Sequence, residues 1–115
     1  MSLSKDLIKE IKQAAAKYMY YNRPPLEVRD QLDIGYRIDE QSVYLFEIRP
    51  SWNNPDEKTE TPVAKTTYIK SKKLWKIFWM RGNLKWYHYK PEPFVLDISD
   101  FFDLVAEDKL NCFFG

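Results

Sequence analysis

At Gln31 the spacing of apolar residues changes from the period of a helix to the period of a strand, and this switch limits what the chain can become. Leu32, Ile34, Tyr36 and Ile38 alternate with Asp33, Gly35 and Arg37, the pattern of a half-buried strand. Asp39 to Ser42 is a polar turn, and Val43 to Arg49 is a second strand that Pro50 stops. A four-residue loop pairs Ile38 with Val43, Tyr36 with Leu45 and Ile34 with Glu47. In the second strand Val43 and Leu45 share one face while Tyr44, Phe46 and Ile48 share the other, so it reads as covered on both sides. Residues 51–62 lack any period and form a long loop. Val63 to Ile69 is a third strand, rich in Thr and Tyr, and Lys70 to Lys73 is a basic turn.

The strongest local signal follows. Trp75 to Arg81 and Leu84 to Lys90 flank Gly82-Asn83, which reads as a hairpin closed by a two-residue turn. This register sets Arg81 opposite Leu84, Trp79 opposite Trp86, Ile77 opposite His88 and Trp75 opposite Lys90. On the other face Met80 opposes Lys85, Phe78 opposes Tyr87 and Lys76 opposes Tyr89. The tryptophan face is the expected core, and the Lys/Phe/Tyr face is either a binding surface or a second core.

Helices flank the strands. Leu7, Ile8, Ile11, Ala15, Tyr18 and Met19 recur at helical spacing over residues 4–21, with Ser4 as the N-cap and Asp6 at the positive end of the dipole. Pro24-Pro25 ends this helix, and a short helical turn can follow before Asp30. After Pro91 and Pro93, Asp97 or Ser99 caps a second helix whose apolar stripe is Phe101, Phe102, Leu104 and Val105. The expected class is α+β: an N-terminal helix, a roughly five-stranded, mostly antiparallel sheet, and a C-terminal helix packed on it.

At 115 residues the chain is expected to be a single domain over 1–115 with one core. Its lone cysteine, Cys112, excludes an internal disulfide and fits a reducing cytoplasm. No apolar run approaches membrane-spanning length, so no membrane partner is expected. The net charge of +1 hides an asymmetry. Residues 61–91 hold eight Lys or Arg and no acid, whereas 92–115 hold six acids against Lys109 alone. That layout favours an anionic partner, unless the acidic end packs on the basic hairpin and neutralises it.

Several spaced segments together resemble a bacterial family known as domain of unknown function 3024. They are Glu47-Ile48-Arg49-Pro50-Ser51-Trp52, Pro62-Val63-Ala64-Lys65, the stretch from Trp75 to Trp86, and Cys112-Phe113-Phe114-Gly115. The resemblance implies no activity and no site residues, so functional expectations rest on the residues themselves.

Two constellations stand out. Lys76, Phe78, Lys85, Tyr87 and Tyr89 alternate cations with flat rings, as a surface for single-stranded nucleic acid does, and Lys72 and Lys73 extend the positive track. The competing reading packs this face under a helix with the lysine heads reaching water. The second set is Glu47, Arg49, Lys65, Arg81 and His88, polar groups set inside apolar strands. A half-buried Glu47 requires a cation, which Lys65 or Arg81 can supply as a structural ion pair. A metal-dependent nuclease would instead use Glu47 and Lys65 catalytically, with Asp33 in support, although Asp33 falls on the other face of its strand. His88 reads as a packed ring, and one His with one Cys falls short of the four ligands a zinc site uses. Phe113-Phe114 are expected to dock in the core or on a second subunit. No cofactor, metal or catalytic residue is assigned. The expected function is a non-enzymatic module for nucleic acid or a protein partner, as a monomer or homodimer; the alternatives are a small metal-dependent, nuclease-like hydrolase and a structural homodimer with no ligand, joined through the aromatic hairpin or the Phe-Phe end.

Overall fold

The computed structural model describes residues 3–81 and 83–108. Helix α1 spans Lys5–Asn22 and is capped by Ser4, whose hydroxyl accepts a hydrogen bond from the Leu7 amide at 3.2 Å. Ile11, Ala15 and Tyr18 lie one turn apart and form its buried stripe. The chain leaves through Pro24-Pro25 and a 3-10 turn at Leu26–Val28. Strands β1 (Asp33–Asp39), β2 (Ser42–Pro50), β3 (Lys58–Ile69), β4 (Leu74–Met80), β5 (Trp86–His88) and β6 (Phe94–Val95) follow, and α2 spans Ile98–Glu107. The sheet runs β1-β2-β3-β4-β5 with every pair antiparallel, and β6 pairs β4 beyond β5.

The α+β expectation holds, and the β1–β2 register matches the sequence reading at Ile38–Val43, Tyr36–Leu45 and Ile34–Glu47. Three features differ. The loop after β2 is shorter than expected, because β3 already starts at Lys58 and pairs with Pro50. The β2–β3 register slips between Leu45 and Phe46, so that Val63 and the adjacent Ala64 both reach the core. This bulge also explains a proline inside a central strand: Pro62 sits where the ladder is already interrupted. Strand β6, unmarked by any period, is the third difference.

Both helices pack on one face of the sheet. Ile34, Val43, Leu45, Ala64, Trp75 and Ile77 point toward α1 and α2 and join Ile11, Ala15, Tyr18, Phe101, Phe102 and Val105 in a single core. The Tyr18 and Phe102 rings meet across the helix pair at 5.4 Å. Among the described residues, no helix is long and apolar enough to cross a membrane.

Candidate ligand-binding face

The opposite face of the sheet is not covered by either helix. In antiparallel strands, paired residues lie side by side on the same face. Arg37 pairs with Tyr44, Tyr44 with Lys65, Lys65 with Phe78, and Phe78 with His88. One unbroken row therefore crosses five strands on the open side, reading cation, ring, cation, ring, imidazole. A second row, Asp39, Ser42, Thr67, Lys76 and Phe94, runs beside it. The Ser42 and Thr67 hydroxyls share a hydrogen bond of 2.8 Å. On the far side of the first row, Met80 pairs with Trp86.

The side chains of the row form one cluster around Lys65. Its ammonium lies 5.5 Å from the Tyr44 ring centroid, 5.3 Å from Phe78 and 5.9 Å from Trp86. Each is within the range of a cation–π attraction. Tyr44 and Trp86 approach to 6.1 Å, and His88 lies over Phe78 at 4.9 Å. Toward β1, the Phe46 ring packs on Gly35 beneath the Arg37 guanidinium, 5.1 Å from the ring centroid. A Cβ on residue 35 would stand 2.7 Å from Phe46 Cε2, so this close approach requires glycine.

The hairpin register differs from the sequence expectation by one residue. Phe78 pairs with His88, Trp79 with Tyr87 and Met80 with Trp86. The Arg81 amide bonds the Lys85 carbonyl, so the turn spans three positions rather than two. Leu84 takes the positive-φ place, φ 63°, that such a turn uses. A one-residue slip exchanges the faces of every residue that follows. Trp86 and His88 thus move to the open side, and Tyr87 joins Trp79 on the helix side.

This slip revises the expected binding set. Lys76 and Phe78 lie on the open face as expected. Tyr89 is 4% exposed and belongs to the core. Tyr87 lies on the helix side, where its hydroxyl accepts from the Asn83 amide at 2.7 Å and Arg81 stacks 4.9 Å from its ring. Lys85 ends the hairpin turn, with its amide on Asn83 Oδ1. Lys72 and Lys73 occupy the β3–β4 turn, and Lys73 lines a recess with Glu10, Gln13 and Lys17 of α1. Lys73 therefore does not extend the open-face track.

The expected polar cluster is also divided. The cation beside Glu47 is Arg49, at 3.5 Å on the same side of β2, rather than Lys65 or Arg81. Lys65 and His88 are on the open face, and Arg81 sits over Trp79 and Tyr87. Asp33 forms a two-pronged contact with Arg23 at 2.9 Å for each hydrogen bond. The Arg23 hydrogen bonds hold the Asp33 carboxyl below the usual carboxylate range, opposed by slight burial and helped by the Ile34 amide. Asp33, Glu47 and Lys65 do not converge, and among the described residues no group of three His, Cys, Asp or Glu is placed to hold a metal ion. The Tyr18 phenol, buried under the helices, is raised well above its ordinary value, mainly by burial and further by Glu47 and Asp108.

Neutralisation of the basic hairpin by the acidic stretch does not occur among the described ion pairs. These are Arg23–Asp33, Arg37–Glu60 and Glu47–Arg49. Asp97, Asp100, Asp103 and Glu107 line a groove with Tyr89 and Val95 along α2, on the helix side, whereas Lys65 and Lys76 face the opposite way. Cys112 and Phe113-Phe114 lie outside the described residues.

Sequence reasoning missed Arg37 and Tyr44 as members of the row and Trp86 as its neighbour. One signal was present: β2 carries apolar residues on both faces, and two helices suffice to cover only one side of a five-stranded sheet. The chain matches, over residues 3–115, the model of the family described as "Domain of unknown function (DUF3024)". No curated protein and no solved structure matches it.

Proposed function

We propose that this chain, which belongs to the DUF3024 family, is a binding module without chemistry of its own that holds nucleic acid on its open sheet face. The observation that carries the reading is the row Arg37, Tyr44, Lys65, Phe78 and His88, in which flat rings and cations share one face. Every base has a π-face that a ring can stack on, and ammonium groups draw the phosphate backbone. The segment forming β4, β5 and the second half of β3 carries no acid, so nothing there repels a polyanion. The same reading sets the protein in a bacterial cytoplasm, where its lone cysteine stays reduced.

The test is fluorescence anisotropy of labelled oligonucleotides at low and raised salt. Binding is expected at low salt and weakens as counterions compete. Lys65→Met keeps the length of the side chain and removes its charge, so it should lower the salt slope by about one. Absence of binding at low salt, where a phosphate contact is strongest, sinks the reading.

A further inference from the structure

Resting on that reading, we infer that the ligand is single-stranded and crosses the sheet at right angles to its strands, with about three nucleotides in contact. Three features of the open face lead there.

The first is the spacing of the rings. Neighbouring strands lie about 4.8 Å apart, so Tyr44 on β2 and Phe78 on β4 stand roughly 10 Å apart, with His88 on β5 about 5 Å further. This path offers successive stacking platforms, and Trp86 flanks it beside Phe78 and Lys65. Sheets that bind nucleic acid through such rings stack two or three bases.

The second is the parallel row of Ser42, Thr67 and Lys76. It sets the Thr67 hydroxyl and the Lys76 ammonium alongside the rings, where the sugar–phosphate chain runs if the bases lie over Tyr44 and Phe78, while the Ser42 hydroxyl is buried and bonded to Thr67. A path along the strands has no such partner row. Toward the far end of β2 it meets Glu60, which already binds Arg37 at 2.6 Å, and Asp33 at the sheet edge. Both acids repel a phosphate chain; the crossing rows meet acid only at their β1 end, where Asp39 pairs with Ser42 and Glu60 holds Arg37, so the contacts of the ligand fall on β2 to β5.

The third is the shape of the face. Duplex is read by an element that enters a groove, and its bases are hidden from stacking. Among the described residues, the open face of this sheet presents rows of rings and cations with no helix on it. It suits unpaired bases.

The experiment uses the full chain and fluorescein-labelled oligothymidylates lengthened from about two to about eight nucleotides, with a duplex of matching length as competitor. Affinity should rise steeply to about three or four nucleotides and then level, and duplex should compete poorly. Tyr44→Ala and Phe78→Ala should each weaken binding by about fivefold to a hundredfold. Tyr44→Leu and Phe78→Leu preserve apolar packing without a ring, and they should show the same loss if the alanine variants fail to fold. Lys73→Met, on the helix side, should leave affinity within about twofold of wild type. An even rise in affinity with length, or duplex binding as tight as single strand, overturns the inference and leaves the nucleic-acid reading standing. No binding of any oligonucleotide at low salt overturns both.

Discussion

The two faces of this sheet carry comparable numbers of large side chains but use them differently. On the helix side, Trp75, Ile77 and Val43 are almost wholly removed from water, at 1%, 0% and 0% exposure. Their rings and methyls meet the apolar stripes of α1 and α2. On the open side, Tyr44, Phe78 and Trp86 remain partly exposed and surround a lysine instead of a helix. The first arrangement gains stability from area removed from water. The second gains less, because each cation–π contact at an exposed site is worth only about 0.5–1 kcal/mol. Rings left half-wet around a cation retain surface that a flat, anionic partner can take up.

If the faces have these separate tasks, substitutions should separate stability from binding. Trp75→Ala empties a buried site and should cost about 3–5 kcal/mol, read as a fall in the urea midpoint. Trp86→Ala should cost far less, about 1 kcal/mol, yet weaken oligonucleotide binding. Equal losses of stability from the two would break the distinction between the faces. Gly35→Ala is intermediate. The new methyl would press on the Phe46 ring at 2.7 Å and 2.9 Å, and forcing that ring aside from beneath Arg37 should cost about 1–3 kcal/mol. An unchanged urea midpoint would mean that the Phe46 ring turns freely.

The smallest effect concerns the edge where the faces meet. Arg23, just beyond α1, grips Asp33 at the start of β1 and lowers the carboxyl's affinity for protons. A carboxylate depressed in the folded state adds stability above its unfolded pKa of about 3.9 and loses it as pH falls through the lower folded value. Stability should therefore fall as the solution is acidified below about pH 4. Asp33→Asn should flatten that acid limb and slightly lower stability at neutral pH. Urea midpoints measured across the acid range check this, and parallel curves for the two proteins would show that Arg23 does not act through Asp33.

Much of the architecture was legible because it is local. Ser4 before an apolar stripe marks a helix start, and the Asp39–Ser42 turn leaves one register in which Ile34, Tyr36 and Ile38 share a face. The hairpin at Gly82-Asn83 was legible as a hairpin but not in its register. Two- and three-residue turns are both compatible with those residues, and the choice moves Trp86, Tyr87 and His88 between faces. The bulge at Val63 was hidden for a related reason: a single extra residue leaves the apolar content of β3 unchanged and alters only which neighbours point the same way.

The amino-acid sequence by itself determined the elements other than β6 and the early start of β3, the antiparallel pairing of the strands and the segregation of basic from acidic segments, since periodicity, turn chemistry and composition are properties of short stretches. Only the tertiary structure decided that Lys65 stands among Tyr44, Phe78 and Trp86, drawn from three other strands. It also decided that both helices share one side, so that the acids of α2 and the open-face lysines lie on opposite sides of the sheet. The physical reason is that a side chain's face depends on the parity of every turn and bulge before it, and a change of one residue in any of them inverts the outcome.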